Sequence, residues 1–189
     1  MDRSDPHQGQ PVRHAGAAVS DAKAAVIMLH GRGATAESIL SLADLLGQPE
    51  IAYLAPQAAG HTWYAYSFLA PIEANEPWLS SALRKVDGLV RQVEDAGIPP
   101  ERIALLGFSQ GGCLALETAV RHPRRYGALI GLSAGLIGPD AKAWDHQGSL
   151  AGTPAFLGCS DIDPHIPLSR VRDSTAALRA LGAEVTERI

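Results

Sequence analysis

The residues around Ser109 have the types and the spacing of a nucleophile in acyl transfer. Ser109 lies in Gly-Phe-Ser-Gln-Gly (107–111), between an apolar run and a helical pattern. This G-x-S-x-G pattern is typical of a nucleophile elbow, a sharp turn from a strand into a helix. Side chains at the flanking glycines would clash with the strand or the helix, and the turn lifts the hydroxyl above the sheet. We therefore predict Ser109 as a nucleophile at a helix N-terminus, where developing negative charge is favoured.

An acyl-transfer site also needs two backbone N–H groups that point at the carbonyl oxygen. We expect Gln110, directly after the serine, to supply one of them. The second is expected from "LHGRGA" (29–34), a glycine-rich segment after an early strand, with the backbone of Arg32 as the donor. His30 is expected to support this loop through hydrogen bonds rather than to act in catalysis. An ordinary tight turn is the alternative interpretation of the segment.

Alternating strands and helices would position these residues. The predicted strands are 24–29, 51–56, 102–107, 126–132, 154–158 and 183–189, and the predicted helices are 37–47, 78–97, 111–122 and 167–182. Strands that are apolar on both faces and alternate with helices are typical of a mostly parallel sheet with helices on both sides. We therefore predict an α/β fold in a single domain.

Three segments together resemble the phospholipase/carboxylesterase family of α/β-hydrolases, which includes bacterial carboxylesterases and acyl-protein thioesterases. They are "LHGRGA", "GFSQGG" and "GCSDIDPHIP". The resemblance covers residues 24–189 and implies the α/β-hydrolase fold and hydrolysis of carboxylic esters or thioesters, without a cofactor or a metal. It also implies a catalytic acid in a D-x-x-P or D-P-x-x-P segment. Asp163 is the expected acid, and Asp161 is the alternative, with capping of loop amides as its expected role.

The catalytic histidine has no obvious counterpart. In this fold the chain order is Ser, Asp, His, and only His165 follows Asp163. Two residues on a stiff, proline-containing loop can hardly place the ring between the acid and the serine, so we expect His165 to belong to the loop or the pocket wall. The family takes its base from a loop after the last strand, before a final helix. We therefore expect a truncated sequence whose base lies beyond Ile189 and which lacks the C-terminal helix. A non-catalytic binding protein on the same fold is the alternative.

The long segment 57–77 fits no regular pattern and is predicted to be a functional loop. Its aromatic side chains Trp63, Tyr64 and Phe68 are candidates for the wall of a substrate groove, and simple coverage of the core is the alternative. The small size of the chain favours small-molecule esters over long lipids as substrates.

The composition of the chain excludes some of the remaining classes of protein. The chain has 189 residues and a net charge of −4, which gives no reason to expect nucleic acid as a partner. No apolar run is long enough for membrane insertion, and Cys113 and Cys159 are expected to be buried, reduced thiols of a cytoplasmic protein. A cysteine nucleophile is disfavoured because serine occupies the elbow position, and "HGRGA" does not match a dinucleotide-binding motif.

Residues 1–22 are predicted to be a flexible leader before the domain at 23–189. A homodimer is compatible with the sequence.

Overall fold

A seven-stranded sheet forms the centre of the molecule. The computed structural model describes residues 5–140, 144 and 146–189. The strands are β1 (Val12–Gly16), β2 (Ala24–Leu29), β3 (Ile51–Pro56), β4 (Ile103–Phe108), β5 (Ala128–Leu132), β6 (Pro154–Gly158) and β7 (Glu184–Arg188). The helices are α1 (Ala36–Leu46), α2 (Trp78–Asp95), α3 (Gln110–Arg121) and α4 (Leu168–Ala180). The predicted alternation of strands and helices is confirmed, with small shifts at the ends of the elements.

The strands follow the order β1-β3-β2-β4-β5-β6-β7 across the sheet. All neighbouring pairs from β3 to β7 are parallel, and only β1 runs antiparallel to its neighbour β3. The carboxyl ends of β4, β5 and β6 therefore lie side by side at one edge of the sheet. In open α/β sheets this edge is where ligands bind.

The apolar runs of the central strands are explained by burial on both faces of the sheet. Successive side chains of a strand point to opposite faces, and in β2 they enter two different hydrophobic clusters. Ala25, Ile27 and Leu29 belong to one cluster, on the side of α2 and α3, while Val26 and Met28 belong to the other, on the side of α1. A strand in this position needs apolar residues at every position rather than at alternate ones.

The prediction of a flexible leader over residues 1–22 was wrong for the described part of that segment. Residues 12–16 form β1, which pairs with β3 from Val12 opposite Pro56 to Gly16 opposite Ala52. The pairing uses backbone groups, so the polar side chains that suggested a leader do not prevent it. His7 is fully buried as well, with its ring 5.4 Å from the rings of both Trp63 and Trp78.

The segment 57–77 is irregular, as predicted, apart from two short 3₁₀ turns at Ala59–His61 and Ile72–Asn75. It lies between β3 and α2 and reaches the carboxyl edge of the sheet through Tyr64 and Phe68, which share a pocket with the end of β4. Among the helices of the described residues, none combines the length and the apolar character that crossing a bilayer requires.

Candidate active site

Ser109 occupies the sharp turn between β4 and α3. Its φ and ψ angles are 51° and −120°, in the positive-φ region that side-chain-bearing residues rarely adopt. The turn is fixed from the neighbouring strand, because the Ser109 amide donates to the carbonyl oxygen of Leu132 at 2.8 Å. Strained backbone of this kind persists only where the surroundings enforce it, and it is concentrated at functional sites.

The glycines around Ser109 are required by close backbone contacts. A Cβ atom on Gly107 would lie 2.3 Å from the carbonyl group of Gly111, and one on Gly111 would lie 2.1 Å from the carbonyl oxygen of Leu29. Neither position can hold a side chain unless the backbone moves. The steric argument for the G-x-S-x-G turn therefore agrees with the structure.

The glycine-rich segment after β2 lies directly beside the elbow. A Cβ atom on Gly31 would lie 3.6 Å from the Cβ atom of Ser109. Gly31, Arg32, Ser109 and Gln110 all line one pocket with a volume of about 570 Å³. Gln110 is the first residue of α3, so its amide lies in the helix turn that lacks intrahelical acceptors. The Arg32 amide has no backbone acceptor among the described residues.

His30 supports this loop, as predicted. It is fully buried, its Nδ1 atom lies 2.8 Å from the carbonyl oxygen of Gly31, and its Nε2 atom accepts from the amide of Ala58 at 3.1 Å. Burial lowers the pKa of His30, against the opposing effect of the hydrogen bond to Gly31. A neutral ring can donate from one nitrogen and accept at the other, which is what these two contacts require.

The side chains of Arg32 and Gln110 have a second role that the sequence did not reveal. Gln110 Nε2 donates to the carbonyl oxygen of Tyr64 at 2.8 Å, and its Oε1 atom accepts from the amide of Trp63 at 2.8 Å. The Arg32 guanidinium donates to the carbonyl oxygens of Tyr64, Ala65 and Tyr66. Arg32 and Gln110, which line the pocket with Ser109, thus also hold the loop that forms the pocket wall.

Asp163 follows β6 and organises its own loop. Its Oδ1 atom accepts from the amides of His165 at 2.8 Å and Ile166 at 3.0 Å. Partial burial acts to raise the pKa of Asp163, but these hydrogen bonds and the Ser133 hydroxyl outweigh it, and the pKa is lowered. The expectation that Asp161 caps these amides was wrong: its side chain is exposed, and Asp163 has that role.

One strand separates Ser109 from Asp163. The serine follows β4 and the aspartate follows β6, with β5 between them. Two strand spacings amount to about 10 Å, which leaves room for an imidazole ring between the two side chains. His165 lines the pocket, in agreement with the role expected for it.

The aromatic residues of the 57–77 loop divide between the pocket and the core. Tyr64 and Phe68 line the pocket. Trp63 does not line it: its side chain is fully buried in the core, and its Nε1 atom donates to the carbonyl oxygen of His30 at 2.8 Å. The prediction of Trp63 as a substrate-binding residue was therefore wrong, because the indole ring is buried in the core and its N–H donates to the carbonyl oxygen of His30. The pocket wall also includes four residues that were not predicted from the sequence, namely Tyr66, Phe108, Cys113 and Ile166.

The two cysteines are free and buried, as expected. Cys113 lies one helical turn after Ser109 and lines the pocket. Burial raises the pKa of its thiol to about 12, so the thiol stays protonated near neutral pH and is a poor nucleophile. The described residues contain no group of three or more His, Cys, Asp or Glu side chains that could hold a metal ion.

Comparison with known proteins agrees with this geometry. The sequence profile of the phospholipase/carboxylesterase family matches residues 16–189. Acyl-protein thioesterase 1 of Saccharomyces cerevisiae is 31% identical over 177 residues, which cover 80% of this chain and 75% of the yeast protein.

Comparison with solved structures also matches this chain to the phospholipase/carboxylesterase family. A crystal structure of a phospholipase/carboxylesterase from Dyadobacter fermentans is 43% identical, with a TM-score of 0.92, and the match covers 95% of this chain and 86% of that one. Esterase PE8 is 24% identical, with a TM-score of 0.72 over 95% of this chain and 87% of its own, and it shares the fold.

Proposed function

This chain belongs to the phospholipase/carboxylesterase family, and we propose that it cleaves carboxylic esters or thioesters through an acyl-enzyme on Ser109. The chain is a hydrolase of the α/β-hydrolase fold, as its relatives indicate. The observation that carries the finer proposal is the strained elbow at Ser109, which lines a pocket together with Arg32 and Gln110.

The proposed reaction has two acyl-transfer steps. The Ser109 oxygen attacks the carbonyl carbon of the ester and gives its proton to a histidine. The bond from the carbonyl carbon to the leaving oxygen or sulfur then breaks, and the leaving group takes that proton. Water hydrolyses the resulting acyl-serine, releases the acid and restores the hydroxyl. Asp163 is proposed to orient that histidine.

The amides of Arg32 and Gln110 are proposed to hold the negative oxygen of the tetrahedral intermediate. Loss of one donor of this kind reduces kcat by about 100- to 1000-fold in serine hydrolases. Support for this role comes from the close packing of Gly31 against Ser109, which brings the two backbone segments together.

The proposed substrate is a small-molecule ester. A pocket of about 570 Å³ suits a ligand of small-molecule size, and Tyr64 and Phe68 give it an apolar wall. The name of the yeast relative, an acyl-protein thioesterase, supports keeping thioesters within the proposal.

Turnover of an activated ester by the full-length protein tests the proposal. Ser109→Ala is expected to reduce kcat by at least about 1000-fold, because the nucleophile is lost while the pocket remains. Ser41→Ala is the matched control: Ser41 is exposed on α1 and bonds only to its own helix, so its turnover should equal that of the wild type. Unchanged turnover in Ser109→Ala would exclude the acyl-enzyme.

A further inference from the structure

Arg32 lines the pocket beside Ser109, and its guanidinium carries a positive charge. We propose that the Arg32 guanidinium is a specificity-determining group that favours esters carrying a carboxylate near the scissile bond. The inference rests on the proposed function, because it concerns which esters reach Ser109. It adds a substrate class, monoesters of dicarboxylic acids, to the hydrolysis of small esters.

The guanidinium is held in place before any substrate binds. Its Nη1 atom donates to the carbonyl oxygen of Ala65 at 3.0 Å, and Nη2 donates to those of Tyr64 at 2.9 Å and Tyr66 at 2.8 Å. A side chain fixed at three points loses little further freedom when a ligand binds, so its full interaction is available for affinity. Three of the five N–H donors of the guanidinium are used in this way, and two remain for a ligand.

The charge of Arg32 is not neutralised by a carboxylate. Its partners among the described residues are backbone carbonyl groups, which carry no net charge. Several other arginines pair with acidic side chains: Arg13 with Glu37, Arg91 with Asp87, Arg121 with Glu117, Arg124 with Glu94, and Arg170 with Asp140. Arg32 therefore keeps a positive charge that is available to a ligand.

The rest of the pocket does not offset this charge. Its lining, within the described residues, includes no aspartate or glutamate. Burial raises the pKa values of Tyr64 and Cys113, so both stay uncharged near neutral pH. Asp163 does not line the pocket, and one of its carboxylate oxygens is bound by two loop amides. The pocket is thus locally positive in a chain whose net charge is −4.

A pair of substrates that differ only in charge tests the inference. Monoethyl glutarate carries a carboxylate, and the ethyl ester of glutaramic acid replaces that carboxylate with an amide of nearly the same shape. The wild-type, full-length protein should have a higher kcat/KM for the monoester, by roughly 10-fold, the value of one hydrogen-bonded charge. The preference should shrink in 0.5 M salt, because the pocket is open to solvent.

Variants at Arg32 distinguish the effect of its charge on substrate preference from the effect of its hydrogen bonds on the position of the loop. Arg32→Gln should abolish the preference, and Arg32→Lys should keep part of it. If Arg32 served only to anchor the loop, its substitution would lower kcat/KM equally for both esters, and the ratio of the two kcat/KM values would not change. Arg91→Gln is the matched control: this exposed arginine of α2 pairs with Asp87 and does not line the pocket, so its ratio should equal that of the wild type.

The possible results are distinguishable. Equal kcat/KM values for the two esters in the wild type, or the same ratio in Arg32→Gln and wild type, would overturn the inference and leave the proposed function intact. If the wild type turns over neither of these esters nor an activated ester, the proposed function itself fails.

Discussion

At the scale of single residues, the sequence did not decide which of Asp161 and Asp163 is the catalytic acid and which caps the amides of the loop. The structure gives Asp163 two amide donors on one carboxylate oxygen, while Asp161 is exposed. In the proposed triad, Asp163 would orient the histidine through its other oxygen, Oδ2, which lies 3.9 Å from the Cys159 sulfur.

Substitution of the two aspartates distinguishes them. Asp163→Asn should keep the loop, because its amide oxygen still accepts from His165 and Ile166, but should lower kcat for an activated ester by at least about 100-fold. Asp161→Asn is the matched control and should behave as the wild type. A large loss of kcat in Asp161→Asn and a small one in Asp163→Asn would reverse the assignment.

At the scale of elements, the elbow depends on contacts between β2, β4 and α3. Gly111→Ala should reduce the free energy of unfolding by about 1–3 kcal/mol, because its Cβ atom would lie 2.1 Å from the carbonyl oxygen of Leu29. Gly88→Ala is the control: a Cβ atom there meets nothing within 4 Å, so the helix α2 should gain about 0.5–1 kcal/mol. Denaturant titration of the two variants measures both changes. Equal stabilities would show that the elbow has room for a side chain.

The elbow around Ser109 shows why part of the site could be predicted from the sequence. A glycine-flanked serine between an apolar strand and a helix is a local pattern, and its steric requirement involves backbone that is close in sequence or in the next strand. The strand β1 and the burial of Trp63 are different. β1 exists because the edge of β3 offers backbone partners, and Trp63 is buried because its indole meets the carbonyl group of His30. Neither partner is visible in the local sequence.

The N-terminal segment and the pocket loop meet at His7. Its Nδ1 atom accepts from the amide of Ala59 at 3.1 Å, and Nε2 lies 2.9 Å from the carbonyl oxygen of Trp63. The loop that Gln110 and Arg32 hold from one side is therefore held by the N-terminal segment from the other. These contacts join residues more than fifty positions apart, so the composition of residues 1–22 could not indicate them.

At the scale of the whole molecule, buried histidines make stability depend on pH. Burial lowers the pKa values of His7 and His30 below the ordinary value of 6.5. Below pH 6.5 the unfolded chain binds protons that the folded protein does not, so the free energy of unfolding should fall as the pH is lowered through this range. Each group contributes at most about 1.4 kcal/mol per pH unit.

Denaturant titrations between pH 5 and pH 8 measure this dependence. His7→Gln should make the decrease toward acid pH shallower, because one of the two buried groups is removed. His14→Gln, on the exposed side of β1, should leave the slope as it is in the wild type. A wild-type stability that stays constant from pH 8 to pH 5 would contradict the buried, neutral state of these rings.

In the proposed reaction, Ser109 forms a covalent bond to the acyl group. Reaction of the full-length protein with a fluorophosphonate, followed by digestion and peptide mass spectrometry, tests this bond most directly. We expect a single phosphonyl adduct on Ser109 and loss of ester turnover in proportion to the labelling. An adduct on another residue, or full turnover after complete labelling of Ser109, would contradict it.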